Sequence, residues 1–358
     1  MITPEHLLLL TIFLSCVMLV LLVIMSFALI AKNSRDKQKK IWLVKTDVLI
    51  TKTIFFEDEE HESPTFFISV NKRIQKLLKK PLFRQTLINE LVIIRKSLTG
   101  VAGDNLISLY NQLGLEKDSA KKIKDSRWHK KAKGIQELAV MHQEDYYPLL
   151  YNLTNHKNEY IRMEAQTSIV KIHGFEGLSF LNEITYPISE WHQINLLVQL
   201  STVAASDFIG IESWLKSKND TVIIFALKLS ASYHQFQLYD NIVDCLNHKN
   251  AKVRLQAINC LKEIYEDTTA LHLIRIYNNE SITHQLAILS ALKEIASPES
   301  ISFLEKQLDS ENNQIKLAAT RALFNCGNEG LETIENHPRA SGFPLNEIVK
   351  QIQMERTK

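Results

Sequence analysis

Glycine and proline are scarce, at 10 and 8 of 358 residues. Sandwiches and barrels use both in frequent turns, so their scarcity argues against all-β designs and favours helix. Phosphate-cradling loops are missing as well. No G-x-G-x-x-G, G-x-x-x-x-G-K-[ST], G-x-S-x-G or H-E-x-x-H occurs, and the nearest phrase, LTGVAGDN from Leu98, has neither the lysine nor the spacing. Paired cysteines are also absent. Cys16, Cys245, Cys260 and Cys326 form no C-x-x-C, which reads as small buried hydrophobes in a reducing compartment rather than a disulfide or zinc framework. The twelve histidines are scattered, and His156 and His248 occupy equivalent repeat positions described below. No residue is assigned to catalysis, to a cofactor or to a metal, and the chain is expected not to be an enzyme.

What is present begins with a run of 25 uncharged residues, LLLLTIFLSCVMLVLLVIMSFALIA, from Leu7 to Ala31. A helix of that length spans the roughly 30 Å hydrocarbon core of a bilayer. The leader MITPEH carries no Lys or Arg, and the run is too long for a cleaved signal peptide, so residues 1–31 are expected to be a retained transmembrane anchor. The flank that follows carries Lys32, Arg35, Lys37, Lys39 and Lys40. By the positive-inside rule the N-terminus is expected outside and the remainder in the cytoplasm, at the inner (cytoplasmic) membrane, with these five cations against anionic headgroups.

Net charge is +2 but uneven. Residues 32–133 hold 23 Lys/Arg against 12 Asp/Glu, whereas residues 134–358 hold 19 against 27. Such polarity concerns neighbours rather than fold. Residues 32–125 read as a basic juxtamembrane region, mostly helical, with an acidic linker at 55–64. KTDVLITKTIFF is β-branched and fits either a strand or a continued helix, which leaves the fold of residues 41–70 open. The carboxylates of FEDEEHESP beside His61 read as a solvated loop rather than a metal site. Helices are expected over RIQKLLKK and PLFRQTLINELVIIRKSL, with Pro81 in a first turn; Asp104 is expected to cap the next helix and Gly114 to end it. In KDSAKKIKDSRWHKKAK, eight basic residues surround Trp128. Asp118 and Asp125 interrupt the run, and Trp128 fits the first buried turn of a helix. A membrane- or partner-facing surface therefore fits better than nucleic acid.

The phrases NHKNEYIRMEAQTSIVKI from Asn155 and NHKNAKVRLQAINCLKEI from Asn247 stand 92 residues apart. That gap is three steps of about 31. Asn158, Ser189, Asn219, Asn250, Ser281 and Asn312 recur at this interval, each a side chain able to cap a helix N-terminus. Five residues on come Met163, Ile194, Ile224, Leu255, Leu286 and Leu317. Seven on come Ala165, Leu196, Ala226, Ala257, Ile288 and Ala319. Fourteen on come Ile172, Val203, Tyr233, Ile264, Ile295 and Cys326. These positions are expected on one buried side of a helix, with a second amphipathic run (GIESWLKS, YDNIVDCL, TALHLIRIY) completing a helix–turn–helix unit.

NEYIRMEA, NAKVRLQAINCL and NQIKLAATRALFNCG resemble the HEAT-like repeat of the phycobilisome-lyase type, with its V-R-x-x-A-x-x-A-L phrase. The resemblance covers residues 126–337, about seven units. His192 and His284 replace the early Val or Ile in two of them, and the Arg of the phrase stands only at Arg162 and Arg254, with Lys316 in its place later. It implies an all-α solenoid of about seven ~31-residue repeats behind one transmembrane helix, in which that Arg pairs with an acidic or turn group of an adjacent repeat. It carries no catalytic residue across. A looser similarity is to bacterial proteins with one N-terminal span and a cytoplasmic HEAT array, some associated with envelope polysaccharide synthesis. The expected role is a membrane-anchored scaffold or adaptor binding a protein partner. The other reading is a regulatory or assembly subunit of a membrane enzyme complex, such as a glycosyltransferase or transporter. PLNEIVKQIQMERTK, with Leu345, Ile348, Val349 and Ile352 on one face, is expected to cap the last repeat from within 338–358.

Overall fold

A computed structural model describes residues 4–56, 66–201, 204 and 210–356, with the side chains of 4–10 and 356 left aside. The acidic segment with His61, and Val203, lie outside the described residues. The chain is all-α with α-solenoid repeats, and no strand occurs among the described residues. Two compact units are present: Met1–Leu153 with Asn158–Ser168, and Thr154–Lys157 with Ile169–Lys358.

The first unit opens on α1 (Pro4–Ile54), a single helix of 51 residues. No glycine or proline occurs from Glu5 to Ile54 to interrupt it. The β-branched stretch left open between strand and helix is therefore helical: extending an existing helix adds one hydrogen bond per residue without a new nucleus. Its Trp42, Thr46, Leu49, Ile50 and Thr53 form one buried face. The threonines are tolerated there because Thr46 donates to Leu43 O (2.9 Å) and Thr53 to Leu49 O (2.8 Å). After α2 (Lys72–Leu78), this face of α1 packs against α3 (Pro81–Arg95) and α4 (Gly100–Gln112), with Trp42 edge-on to Phe83 at 5.8 Å. Phe83, Leu87, Leu91, Leu106, Leu109 and Tyr110 complete the core.

Pro81 sits in the first turn of α3. Asp104 is not the cap of α4. That helix starts a turn earlier, at Gly100, whose φ of 66° permits the sharp entry after Thr99, and Asp104 lies inside it with its carboxylate 4.0 Å from Arg95. Gly114 (φ 61°) ends the element, letting Leu115 N reach back to Tyr110 O at 3.1 Å. Next come α5 (Glu116–Ile123) and α6 (Trp128–Val140), which approach closely at Gly134, where a Cβ would lie 2.6 Å from Ser119 O. Between them Glu137 is buried. Its carboxylate accepts from Ser119 Oγ (2.6 Å), from Gln85 Nε2 (3.0 Å) and from Lys122 Nζ, while Tyr110 OH donates to Ser119 Oγ (2.8 Å).

In the second unit, long helices alternate with short ones: α9 (Glu190–Leu200), α10 (Ile211–Leu215), α11 (Asp220–Ser232), α12 (Tyr239–Asp244), α13 (Ala251–Cys260), α14 (Thr269–Ile276), α15 (Ile282–Ile295), α16 (Ile301–Gln307), α17 (Asn313–Asn325) and α18 (Gly327–Glu335). The long helices stack, α11 on α13 on α15 on α17, and α16 packs on α18. The terminal α19 (Leu345–Arg356) lies against α17, burying Leu345, Ile348 and Ile352 with Val349 half-buried. With α6 and α7 (Tyr147–Tyr151), and α8 (Glu159–His173) with the 3-10 run Gly174–Asn182, the repeat frame counts seven units.

One part of the expected frame is corrected. The residues seven after each cap are fully buried, but those five after it are not. Met163, Ile224, Leu255, Leu286 and Leu317 are half-buried and Ile194 is 56% exposed. At 100° per residue, the fifth position points about 160° away from the seventh, so the two cannot share a face. The partner of the seventh is the third, where Ile161, His192, Val222, Val253, His284 and Ile315 are all buried.

Candidate interaction surface

The repeat junctions are built from the cap residues. Asn158, Ser189, Asn219, Asn250 and Asn312 accept from the amides of Ile161 (3.2 Å), His192 (3.4 Å), Thr221 (3.1 Å), Lys252 (2.9 Å) and Gln314 (2.8 Å). Ser281 occupies the cap position without such a bond. Its Oγ lies 2.9 Å from His284 Nδ1, and His284 Nε2 lies 2.8 Å from Ala251 O of the preceding repeat. A histidine thus replaces Val or Ile in the core because both ring nitrogens find partners.

Asparagine at the cap does a second job that sequence reading missed. Its oxygen caps its own helix while its nitrogen reaches back one repeat: Asn219 Nδ2 donates to Tyr186 O (3.1 Å) and Asn250 Nδ2 to Asp220 Oδ2 (2.7 Å). The signal was the residue type, since serine has no second donor group at that reach. Further rungs are Trp214 Nε1 to Asn182 Oδ1 (2.8 Å), Tyr233 OH to Leu200 O (2.7 Å) and Asn325 Nδ2 to Lys293 O (3.1 Å). Arg254 pairs with Glu280 of the next repeat. His248 is a loop residue whose Nδ1 accepts from Asn250 N (3.1 Å).

Two features of this scaffold face solvent and are not used by its own packing. On α9, Trp191, Ile194 and Val198 are 67%, 56% and 60% exposed. Spaced i, i+3, i+7, they form one apolar stripe. The other repeats of the second unit carry Thr221, Lys252, Thr283 and Gln314 at the place of Trp191, and Lys228, Asn259, Ser290 and Arg321 at the place of Val198. The contrast is legible in the sequence once the register is known. The second feature is an open groove of about 610 Å³ along α16 and α18, lined by Glu299, Glu305, Glu329 and Glu332 with Ser302 and Thr333. A further groove of about 840 Å³ runs past Thr185, Trp214, Lys218, Asn219 and Lys249.

In the first unit, Lys32, Arg35, Lys37, Lys39 and Lys40 are exposed on α1 between the apolar half and the docked half, Arg35 Nε donating to Ala31 O (3.2 Å). Trp128 is not in a buried first turn. It opens α6 46% exposed, stacked on Tyr160 at 4.8 Å, because the buried face of α6 begins only at Gly134 and Ile135. Cys245 and Cys260 are buried and Cys326 is half-buried, whereas Cys16 is exposed on the apolar half of α1. Among the described residues no group of three His, Cys, Asp or Glu side chains is placed to hold a metal.

Residues 214–324 match the family model for HEAT repeats. These are HEAT repeats. Solved structures are similar to the chain only at low identity and low TM-score. An engineered protein in a crystal structure is 17% identical, covering 75% of this chain and 82% of that one at a TM-score of 0.39. The X-ray structure of YibA from E. coli is 15% identical, covering 72% and 99% at 0.39. No curated protein matches the chain. HEAT-type repeats in general mediate protein–protein interaction.

Proposed function

We propose that the protein is a membrane-anchored scaffold rather than an enzyme, binding a protein partner on its HEAT repeats. The observation that carries this is the exposed Trp191–Ile194–Val198 stripe of α9, in which Trp191 and Val198 stand where the other repeats of the second unit carry polar residues, while Ile194 is exposed where those repeats half-bury their Ile or Leu. Exposed Trp with flanking aliphatics is the composition of an interface hot spot. The acidic groove of α16 and α18 gives the partner's chemistry: an apolar anchor accompanied by basic side chains.

Anchoring rests on the apolar half of α1. From Ile12 to Ile30 its side chains are exposed, and the helix is long and apolar enough to cross a bilayer. Lys32 to Lys40 then meet the anionic inner leaflet, placing the N-terminus outside and the repeats in the cytoplasm.

The test is affinity purification from solubilised membranes of the full-length chain beside a variant carrying Trp191→Ala, Ile194→Ser and Val198→Ser. The variant is expected to recover the partner at least tenfold less well with an unchanged circular dichroism spectrum. Equal recovery by both would exclude the stripe. A multi-span enzyme recovered in near-equal amount with the full-length chain would identify an obligate complex subunit. Alkaline carbonate washing tests the anchor: release of the chain from membranes would contradict it.

A further inference from the structure

Beyond its docked face, the cytoplasmic end of α1 carries a second apolar face. Ile41, Val44 and Val48 are 58%, 67% and 65% exposed, and Phe55, one residue past the helix end with its amide still bonded to Thr51 O (3.2 Å), is 78% exposed. With Thr51 they fall at spacings of three and four, 41–44–48–51–55, the a and d positions of a two-stranded coiled coil. At 100° per residue this stripe lies about 160° from the Trp42–Thr46–Leu49–Ile50–Thr53 face that builds the unit's own core. The protein's fold therefore uses one side of this helix and leaves an apolar seam on the other.

We propose that this seam pairs with the same seam of a second copy, forming a parallel two-stranded coiled coil directly beneath the membrane. The proposal rests on the membrane-anchor reading above. Two copies inserted in one membrane present α1 parallel and at the same height, which is the arrangement a parallel seam in register requires.

Charge complementarity favours a second copy as the occupant. The positions flanking the seam are Asp47 on one side and Lys52 on the other, five residues apart, both exposed and neither ion-paired with another described residue. In a parallel pair the residue at position g of one helix meets position e of its partner, five residues on. Asp47 of each copy then faces Lys52 of the other, twice by symmetry. Lys40 and Lys45 stand in the corresponding repulsive relation one heptad nearer the membrane, where adjacent spans already hold the helices together. β-branched Ile41 and Val48 occupy the a positions of this seam. Four side chains fall short of the roughly 800 Å² per partner of an interface that stands alone. Confinement to a membrane raises the local concentration of copies, so a small seam suffices.

The experiment is oxidative cross-linking in native membranes of the full-length chain carrying Cys16→Ala and Val48→Cys, beside Cys16→Ala with Leu82→Cys. Leu82 is equally exposed but lies on α3. Val48→Cys is expected to give a product of twice the chain's mass, at least fivefold more than Leu82→Cys. Adding Asp47→Lys should cut that yield severalfold, and adding Lys52→Asp to it should restore it. Equal yields from the two cysteines, a monomer alone, or a product with a different protein would overturn the homodimer. Carbonate washing of the same membranes separates the two readings. A chain that stays in the membrane without cross-linking refutes only the seam, and one released but still cross-linked refutes only the anchor.

Discussion

Arg254 and Glu280 clasp two successive repeats. The guanidinium meets the carboxylate through Nε and through Nη2, 3.1 Å from Oε2, while Nη1 donates to the carbonyl of His248 (2.9 Å). Glu280's side chain is only 6% exposed, so the pair is close to an interior one. Removing one partner of such a pair leaves the other charge desolvated, which costs about 3–5 kcal/mol. Arg254→Ala is expected to destabilise near the lower end of that range, because the arginine itself is 22% exposed. Urea unfolding followed by circular dichroism measures it; a change under 1 kcal/mol would show that the pair does not hold the junction.

Ala257 is fully buried where α13 packs among its neighbours. Ala257→Asp puts an unpaired carboxylate into that contact. In a stacked array each repeat is stabilised by its neighbours, so the flanking repeats should lose order with the central one. Thermal melting should shift down by far more than for a surface substitution such as Lys252→Asp. An unchanged melt would mean that the repeat register is wrong.

His284 occupies a position that holds Val or Ile in four other repeats. Because His284→Val removes a polar group whose partners are a hydroxyl and a carbonyl, it should cost less than about 1.5 kcal/mol, whereas His284→Ala leaves a cavity and should cost about 2–3 kcal/mol. A larger loss for Val than for Ala would show that the bond to Ala251 O outweighs packing.

The Glu137 cluster gives a paired test. Glu137→Leu alone leaves Lys122, whose pKa burial already lowers, without its carboxylate. It should therefore destabilise by about 3 kcal/mol or more. Glu137→Leu with Lys122→Met should regain most of that loss. Equal instability of the single and double variants would show that packing volume, rather than charge pairing, governs the site.

Burial pushes the Cys245 thiol up to about 11 and Cys260 up to about 12. A thiol raised in the folded state is at full stability below its unfolded value of about 8.5, and the contribution is lost as pH rises through 11 to 12. At pH 8 the thiolate fraction of each falls about two to three orders of magnitude below that of a free cysteine. With Ellman's reagent at pH 8, neither should react before unfolding in urea, and fast native labelling at either position would contradict its burial.

The caps at Asn219, Asn250 and Asn312 were readable because a capping side chain acts within one turn, a range that sequence spacing captures. So was the pairing of an Arg with the next repeat, through the family phrase. The tilt of Leu255 and its equivalents away from the core was readable too, had 100° per residue been applied to the fifth position. Residues 41–54 were not readable from periodicity, because the helix there is apolar on two sides. Trp128 was misplaced for a related reason: only tertiary packing determines which turn of α6 first meets another helix, and that turn is at Gly134. The second bonds of Asn219 and Asn250 depend on residues some 30 positions away.

The continuity of α1 also has a mechanical consequence. Between the apolar segment ending at Ala31 and the last core residue, Thr53, the chain rises about 33 Å with no glycine or proline to act as a joint. Trp42, Leu49 and Ile50 rivet the far end of this shaft into the first unit. Whatever holds the apolar half thus sets the height and heading of that unit, and a lean of ten degrees at the base would carry Thr53 sideways by about 6 Å. Where most tethers would be slack, this one is a lever.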